Sequence, residues 1–420
     1  MTIENENEPL ISDSKSYGST SQESLTDHDL LNENKPINYK EDVKTEEFTV
    51  YWYRWYICLI FAVQGLLQGA VWNTWSPIDD SAEAAIGFTK SDTELLTNWG
   101  PISFIITMPF YMWLLQIKGL RLTVVSGAFL VAIATGLRCL PLPNHILQYV
   151  IHVAQFLNGI AGCPVMAVPP MLSNVWFPPA ERITATGITT LFNYFGTGAA
   201  YIIGPLFVSE PPNSTLNISC FNVSKHSLPV NSSCFEIFKI RHEIQAVMYL
   251  EFGLAAANFI AMMIFFPKKP PTPPSVSASK ARMSLMSGIL SLRHHRQYLV
   301  VAFVTSIIFG TWGGWTGVMA IILKPLKVKQ NESDFIGFMM TLIGCASGMF
   351  VGWFTDRLKG RMKTMLSILF IVSFLAFLYF VLLCLPSVNV DPFKPGKVEI
   401  WTTMIILGSQ SMLLYHLVWS

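Results

Sequence analysis

The chain has 420 residues, half of them apolar and 13% charged, with a formal net charge of +1. An average soluble domain carries about 25% charged residues, so this composition belongs in lipid, and a basic balance of the kind that binds nucleic acid is absent. Seven scattered cysteines without a Cys/His cluster exclude a structural zinc site and leave no metal or cofactor expected.

The first 48 residues hold 12 of the 27 acidic residues and few aromatics, so residues 1–50 are expected to form a disordered cytosolic tail. Near its start, Glu6, Leu10 and Ile11 match an acidic dileucine-type sorting signal, which a clathrin adaptor would read as an address to endosomes and lysosomes.

A membrane span needs about 20 predominantly apolar residues. Spans are predicted at 51–75, 95–117, 121–140, 147–172, 185–208, 244–267, 297–323, 334–354, 364–385 and 400–420. Six of them form an N-terminal bundle over 51–267. A basic, Pro-rich linker at 268–296 follows, and 297–420 reads as a second bundle that stops two spans short of six. The layout is that of an all-α membrane protein built as two helical halves and resembles the major facilitator plan.

Lys and Arg collect in the even-numbered loops, at Lys118, Arg121, Arg182, the linker and the run from Arg357 to Lys363. That places the N-terminus in the cytosol. The opposite side carries a loop at 209–243 with four glycosylation sequons, at Asn213, Asn217, Asn222 and Asn231, which require a lumenal position. Cys220 and Cys234 in the same loop are expected to pair in an oxidising compartment.

Polar groups inside apolar helices give the candidate site. In the first span Gln64, Gln68, Trp72 and Trp75 fall at helical spacing on one face, where amides bond and indoles stack against a flat or cationic ring. An interfacial aromatic belt is the competing explanation for the two indoles. Asn158, Asn193, Tyr194 and Trp312 are added as candidate substrate contacts, although polar stripes also hold helices together. Glu251 in the sixth span costs several kcal/mol if ionised and unpaired, so it is expected to be protonated, paired or water-facing, and it is the first candidate for proton coupling. His152, whose ordinary pKa is near 6.5, is the second, with a structural hydrogen bond as its alternative.

Between the eighth and ninth spans, Gly352, Asp356, Arg357, Gly360 and Arg361 follow the Gly-x-x-x-Asp-Arg signature of major facilitators, with one residue inserted before Gly360. The runs Val71-Trp72-Asn73-Thr74-Trp75, Asn98-Trp99-Gly100-Pro101, Thr135-Gly136-Leu137-Arg138-Cys139, Leu157-Asn158-Gly159 and Trp176-Phe177-Pro178-Pro179 resemble solute carrier family 49 over most of residues 51–420. The resemblance implies a proton-driven transporter of the lysosomal membrane with pyridoxine as substrate. Other members of that family are associated with choline or haem. Besides the solute and protons, the expected partners are membrane lipid and the adaptor. A non-transporting receptor on the same fold is the alternative from another class. No motif of an intramembrane enzyme is present, since His242-Glu243 lacks a second His at metal-binding spacing.

Overall fold

A computed structural model describes residues 48–211, 233–275, 278, 285–317, 319–323, 326, 328, 330–355, 362–384 and 399–409. The sorting signal, the four sequons, Cys220 and the signature residues Asp356, Arg357, Gly360 and Arg361 lie outside that set, while Gly352 falls on a helix. The described residues are helical, without a strand among them, and belong to one compact unit running from Phe48 onward.

The helices are α1 (Arg54–Trp72), α2 (Asp79–Ile86), α3 (Lys90–Ile117), α4 (Leu120–Arg138), α5 (Asn144–Ala167), α6 (Pro169–Trp176), α7 (Arg182–Phe207), α8 (Ser233–Phe265), α9 (Leu285–Leu292), α10 (Arg296–Gly317), α11 (Met319–Leu323), α12 (Gln330–Thr355) and α13 (Met362–Cys384). A further helical stretch covers 399–409. Each of the ten predicted spans therefore carries helix, in whole or in part. Among the described residues, five helices combine the length and apolarity to cross a membrane: α1, α3, α4, α5 and the apolar part of α8. The 26 residues of α7 are long enough, but threonines, glycines and an asparagine lower its apolarity.

Local chemistry sets the boundaries. Thr89 and Asp92 form a reciprocal capping box that starts α3 five residues before the span predicted at 95. Gly119, at φ +80°, reverses the chain between α3 and α4, a backbone region that disfavours any Cβ. The predicted fourth span is two helices, because Pro169 and Pro170 interrupt the ladder after Ala167. The sixth begins at Ser233, so the last part of the loop placed at 209–243 is helical.

Packing is tightest where α1 meets α7. A Cβ on Gly196 would fall on the Leu66 backbone, and one on Gly69 would fall on the Asn193 carbonyl. The small residues let the two backbones touch, as in other membrane helix pairs. α5 lies between α3 and α4, and α8 closes against α4 and α1.

Two apolar cores cap this bundle. At the α2 end Trp75, Phe88, Leu96, Ile151, Ile240 and Ile244 pack together. At the other end, Phe61, Leu172, Trp176, Phe177, Met262 and Phe266 do so. There the chain after α8 folds back on the bundle: Thr272 bonds Tyr51 at 3.1 Å and Arg182 donates to Ser275 at 2.7 Å. Arg54 grips Glu181 with two bonds of 2.9 and 3.0 Å. A third core joins Tyr201 of α7 to Trp315, Met319, Ile336, Met340 and Met404, and so connects the two halves.

Candidate functional site

The centre of the N-terminal bundle is polar. Gln64 and Gln68 lie on the inner face of α1, both buried. Gln68 donates to the Asn158 carbonyl at 3.2 Å and accepts from Asn193 at 2.8 Å, while Asn158 donates to the Gln68 carbonyl at 3.3 Å. Asn193 also donates to the Gly65 carbonyl at 2.9 Å. On the other side Asn258 of α8 donates to Gln64 at 2.7 Å. Four helices thus meet through amide side chains. Within this cluster two amide atoms have no partner among the described residues: the nitrogen of Gln64 and the oxygen of Asn158. One spare donor and one spare acceptor in an otherwise dry interior can receive a polar solute or an ordered water.

The indoles do not continue this stripe as the helical spacing predicted. α1 ends at Trp72 because the backbone turns at Asn73, so Trp75 leaves the shared face. Trp72 donates its indole N–H to the Thr97 carbonyl of α3 at 3.2 Å. Trp75 is 1% exposed, edge-on to Phe88 at 5.5 Å, with the Arg138 guanidinium over its ring at 5.8 Å. The ring read as a receptor for a cationic solute faces a cation of the chain itself.

Glu251 is paired. Arg138, the last residue of α4, donates to it at 3.1 Å, and Thr74 donates to its other oxygen at 2.5 Å. Arg138 further donates to the Val71 carbonyl at 3.1 Å and to the Gln155 side chain, and Gln155 donates to the Trp72 carbonyl at 2.8 Å. The arginine side chain is fully buried and that of Glu251 is 14% exposed. Hydrogen bonds occupy most of the remaining valences of this ion pair, the Arg138 Nε–H being without a partner among the described residues, and loss of one charge strands the other. Arg138 and Gln155 are functional candidates beyond the residues singled out above. The available signal for the arginine was a cation inside the third apolar run that demanded a partner as strongly as Glu251 did.

His152 stands apart from that pair. Its Nδ1 accepts from Trp99 at 3.1 Å, and Asp92 lies 4.0 Å from Nε2. Tyr194 is half-buried on α7 beside Asn193. Trp312 lies on α10, its side chain outside the described set. The structure thus gathers Gln64, Gln68, Asn158 and Asn193 at one place and Trp75 and Glu251, with Arg138, at another. Cys234 is disulfide-bonded.

Comparison with known proteins agrees with this architecture. Residues 57–415 match the sequence profile of the Major Facilitator Superfamily. The chain is similar to the solute carrier family 49 member 4 homolog of Xenopus tropicalis, 38% identical over 356 residues that make up 84% of this chain and 75% of that protein. It is also similar to the choline/ethanolamine transporter FLVCR1 of Felis catus, 23% identical over 334 residues, 78% of this chain and 55% of that protein. Among solved structures, the fucose:proton symporter FucP of E. coli shares the fold with a TM-score of 0.58 at 13% identity, over 86% of this chain and 82% of that one.

Proposed function

Since the chain belongs to the major facilitator superfamily and, within it, to solute carrier family 49, it is a multi-pass membrane transporter of a small molecule, and we propose that it carries pyridoxine across the lysosomal membrane in symport with protons. The observation that carries this reading is the buried Arg138–Glu251 pair beside an amide cluster with one donor and one acceptor to spare. A carboxylate whose charge is balanced by one arginine can accept a proton, and the arginine then holds an unbalanced charge that favours a different arrangement. The amide cluster offers hydrogen bonds to the hydroxyl and ring nitrogen of a small heteroaromatic solute. Residues Glu6, Leu10 and Ile11 supply the lysosomal address through a clathrin adaptor, and the sequons from Asn213 to Asn231 face the lumen.

Choline is the second reading, favoured by the similarity to a protein named for choline and ethanolamine transport. One experiment separates the two. The chain is rerouted to the plasma membrane by Leu10→Ala and Ile11→Ala, and uptake of labelled pyridoxine is measured at acidic and neutral outside pH, with unlabelled choline as competitor. Uptake that grows with acidity, persists under choline and is lost in Glu251→Gln supports the proposal. Uptake blocked by choline, or equal at both pH values, overturns the substrate or the coupling respectively.

A further inference from the structure

Asp334 lies one turn inside α12 with 1% of its surface exposed, and neither carboxyl oxygen has a hydrogen-bond partner among the described residues. This helix rests on α7: a Cβ on Gly198 would meet Thr341, and one on Gly337 would meet the Tyr201 ring. The contact is one that joins the second half of the chain to the first.

Among the described residues, the charged groups near enough to act on Asp334 are Glu210, just past the end of α7, and Asp80 and Asp79 of α2. All are acidic. Lys90, the nearby cation among the described residues, is engaged by Asp79 at 2.6 Å, Asp80 at 2.5 Å and Glu83 at 3.3 Å. From α7 the titratable group is Tyr201, and α11 and the 399–409 helix present Met319, Ile400 and Met404, with Glu399 exposed. Lysines 324, 327 and 329 lie outside the described residues.

Among the described residues, an ionised carboxylate in this place has no donor and no cation, and it meets like charges. It would have to draw in water or force the helices apart, whereas the neutral acid needs neither. We propose that Asp334 is a proton-binding site that latches α12 onto α7. With the proton bound the halves close at the α2 end. When the carboxyl O–H ionises and the proton passes to water, the new carboxylate opens that end. This rests on the transporter reading only in treating closure as a step of the cycle, and it concerns a carboxylate in the half of the chain that lacks Glu251.

The test uses the full chain in proteoliposomes with no substrate added, so its outcome is independent of the uptake result. Thr341→Cys, near in size to threonine and buried in the latch, is labelled with a membrane-impermeant maleimide from about pH 5 to about pH 8, with and without sodium. Rates are divided by those of Thr341→Cys in the Asp334→Asn background at the same pH, which removes the thiol's own titration. The ratio is expected near one at the acidic end and roughly tenfold higher at the alkaline end, the effect of one proton equilibrium displaced by about one pH unit. Infrared difference spectra should show a protonated carboxyl band at acidic pH that Asp334→Asn removes and Glu251→Gln leaves. A flat ratio, or a carboxyl band unchanged in Asp334→Asn, overturns the proposal. So does a ratio that sodium lowers at alkaline pH as well as acid does, which assigns the site to a metal cation instead.

Discussion

Arg138 of α4 reaches Glu251 of α8 at 3.1 Å, with the arginine side chain fully enclosed by protein. The pair connects two helices that neighbour α1, and Thr74 and the Val71 carbonyl add hydrogen bonds from α1 and the turn after it. Its stability follows the rule for buried ions, that removing one partner is far worse than removing both. Arg138→Met alone is expected to destabilise the protein by about 3–5 kcal/mol, and Arg138→Met with Glu251→Gln by clearly less. Thermal unfolding of the detergent-solubilised chain measures both. Equal losses in the single and double variants would show that the pair is not coupled.

The amide cluster predicts a distinction between folding and transport. Gln68→Leu removes bonds to both Asn158 and Asn193 and leaves their partners dry, at a cost of about 1–3 kcal/mol. Gln64→Leu gives up one bond, to Asn258, together with the spare donor. We expect Gln64→Leu to unfold close to the parent temperature and to show a higher KM for uptake. A parent-like KM would move the solute away from this cluster.

Close approach of α1 and α7 makes a sharp steric prediction. Gly196→Ala drives a methyl group into the Leu66 backbone and should sharply reduce the yield of folded protein, as read by size-exclusion chromatography. Gly253→Ala meets nothing within 4 Å and should raise stability by roughly 0.5–1 kcal/mol through helix propensity.

At the opposite end from α2, Arg54 and Glu181 form a bidentate pair whose carboxylate side chain is 34% exposed. Solvent screening limits such a pair to about 1 kcal/mol. Arg54→Glu should lower the unfolding temperature modestly, and addition of Glu181→Arg should restore part of the loss. No restoration in the double variant would mean that Arg54 acts by stacking on Trp55 and Phe177, which its guanidinium also approaches at 5.7 and 5.8 Å.

The all-α membrane character was legible because lipid imposes a length and a polarity that composition records directly, and five of the described helices have both. That Glu251 would be protonated, paired or water-facing was legible for the same reason, and the structure shows it paired. The inward placement of Gln64, Gln68, Asn158 and Asn193 follows from polar groups in apolar helices, while their meeting at one point did not show in the sequence. Arg138 escaped notice because it ends its helix, where an arginine ordinarily reads as an interface anchor. Trp75 was misplaced by assuming that the helical period continued past Asn73, where no Gly or Pro marks the break. Asp334, the first residue of the span predicted at 334–354, was not singled out, because nothing in the sequence marks that the start of this helix is buried.

The six residues from Asn73 to Ile78 separate α1 from α2 without a regular ladder of their own. Asn73 donates to the Thr197 carbonyl of α7 at 3.0 Å, Thr74 donates to Glu251 of α8, Trp75 sits under Arg138 of α4, and Gly204 of α7 approaches Pro77 and Ile78. Tyr201, which α12 covers, is hydrogen-bonded to Asn73 and Ser76. This elbow is therefore shared ground: Glu251, in one half of the chain, touches it through Thr74, and α12, in the other half, bears on it through Tyr201.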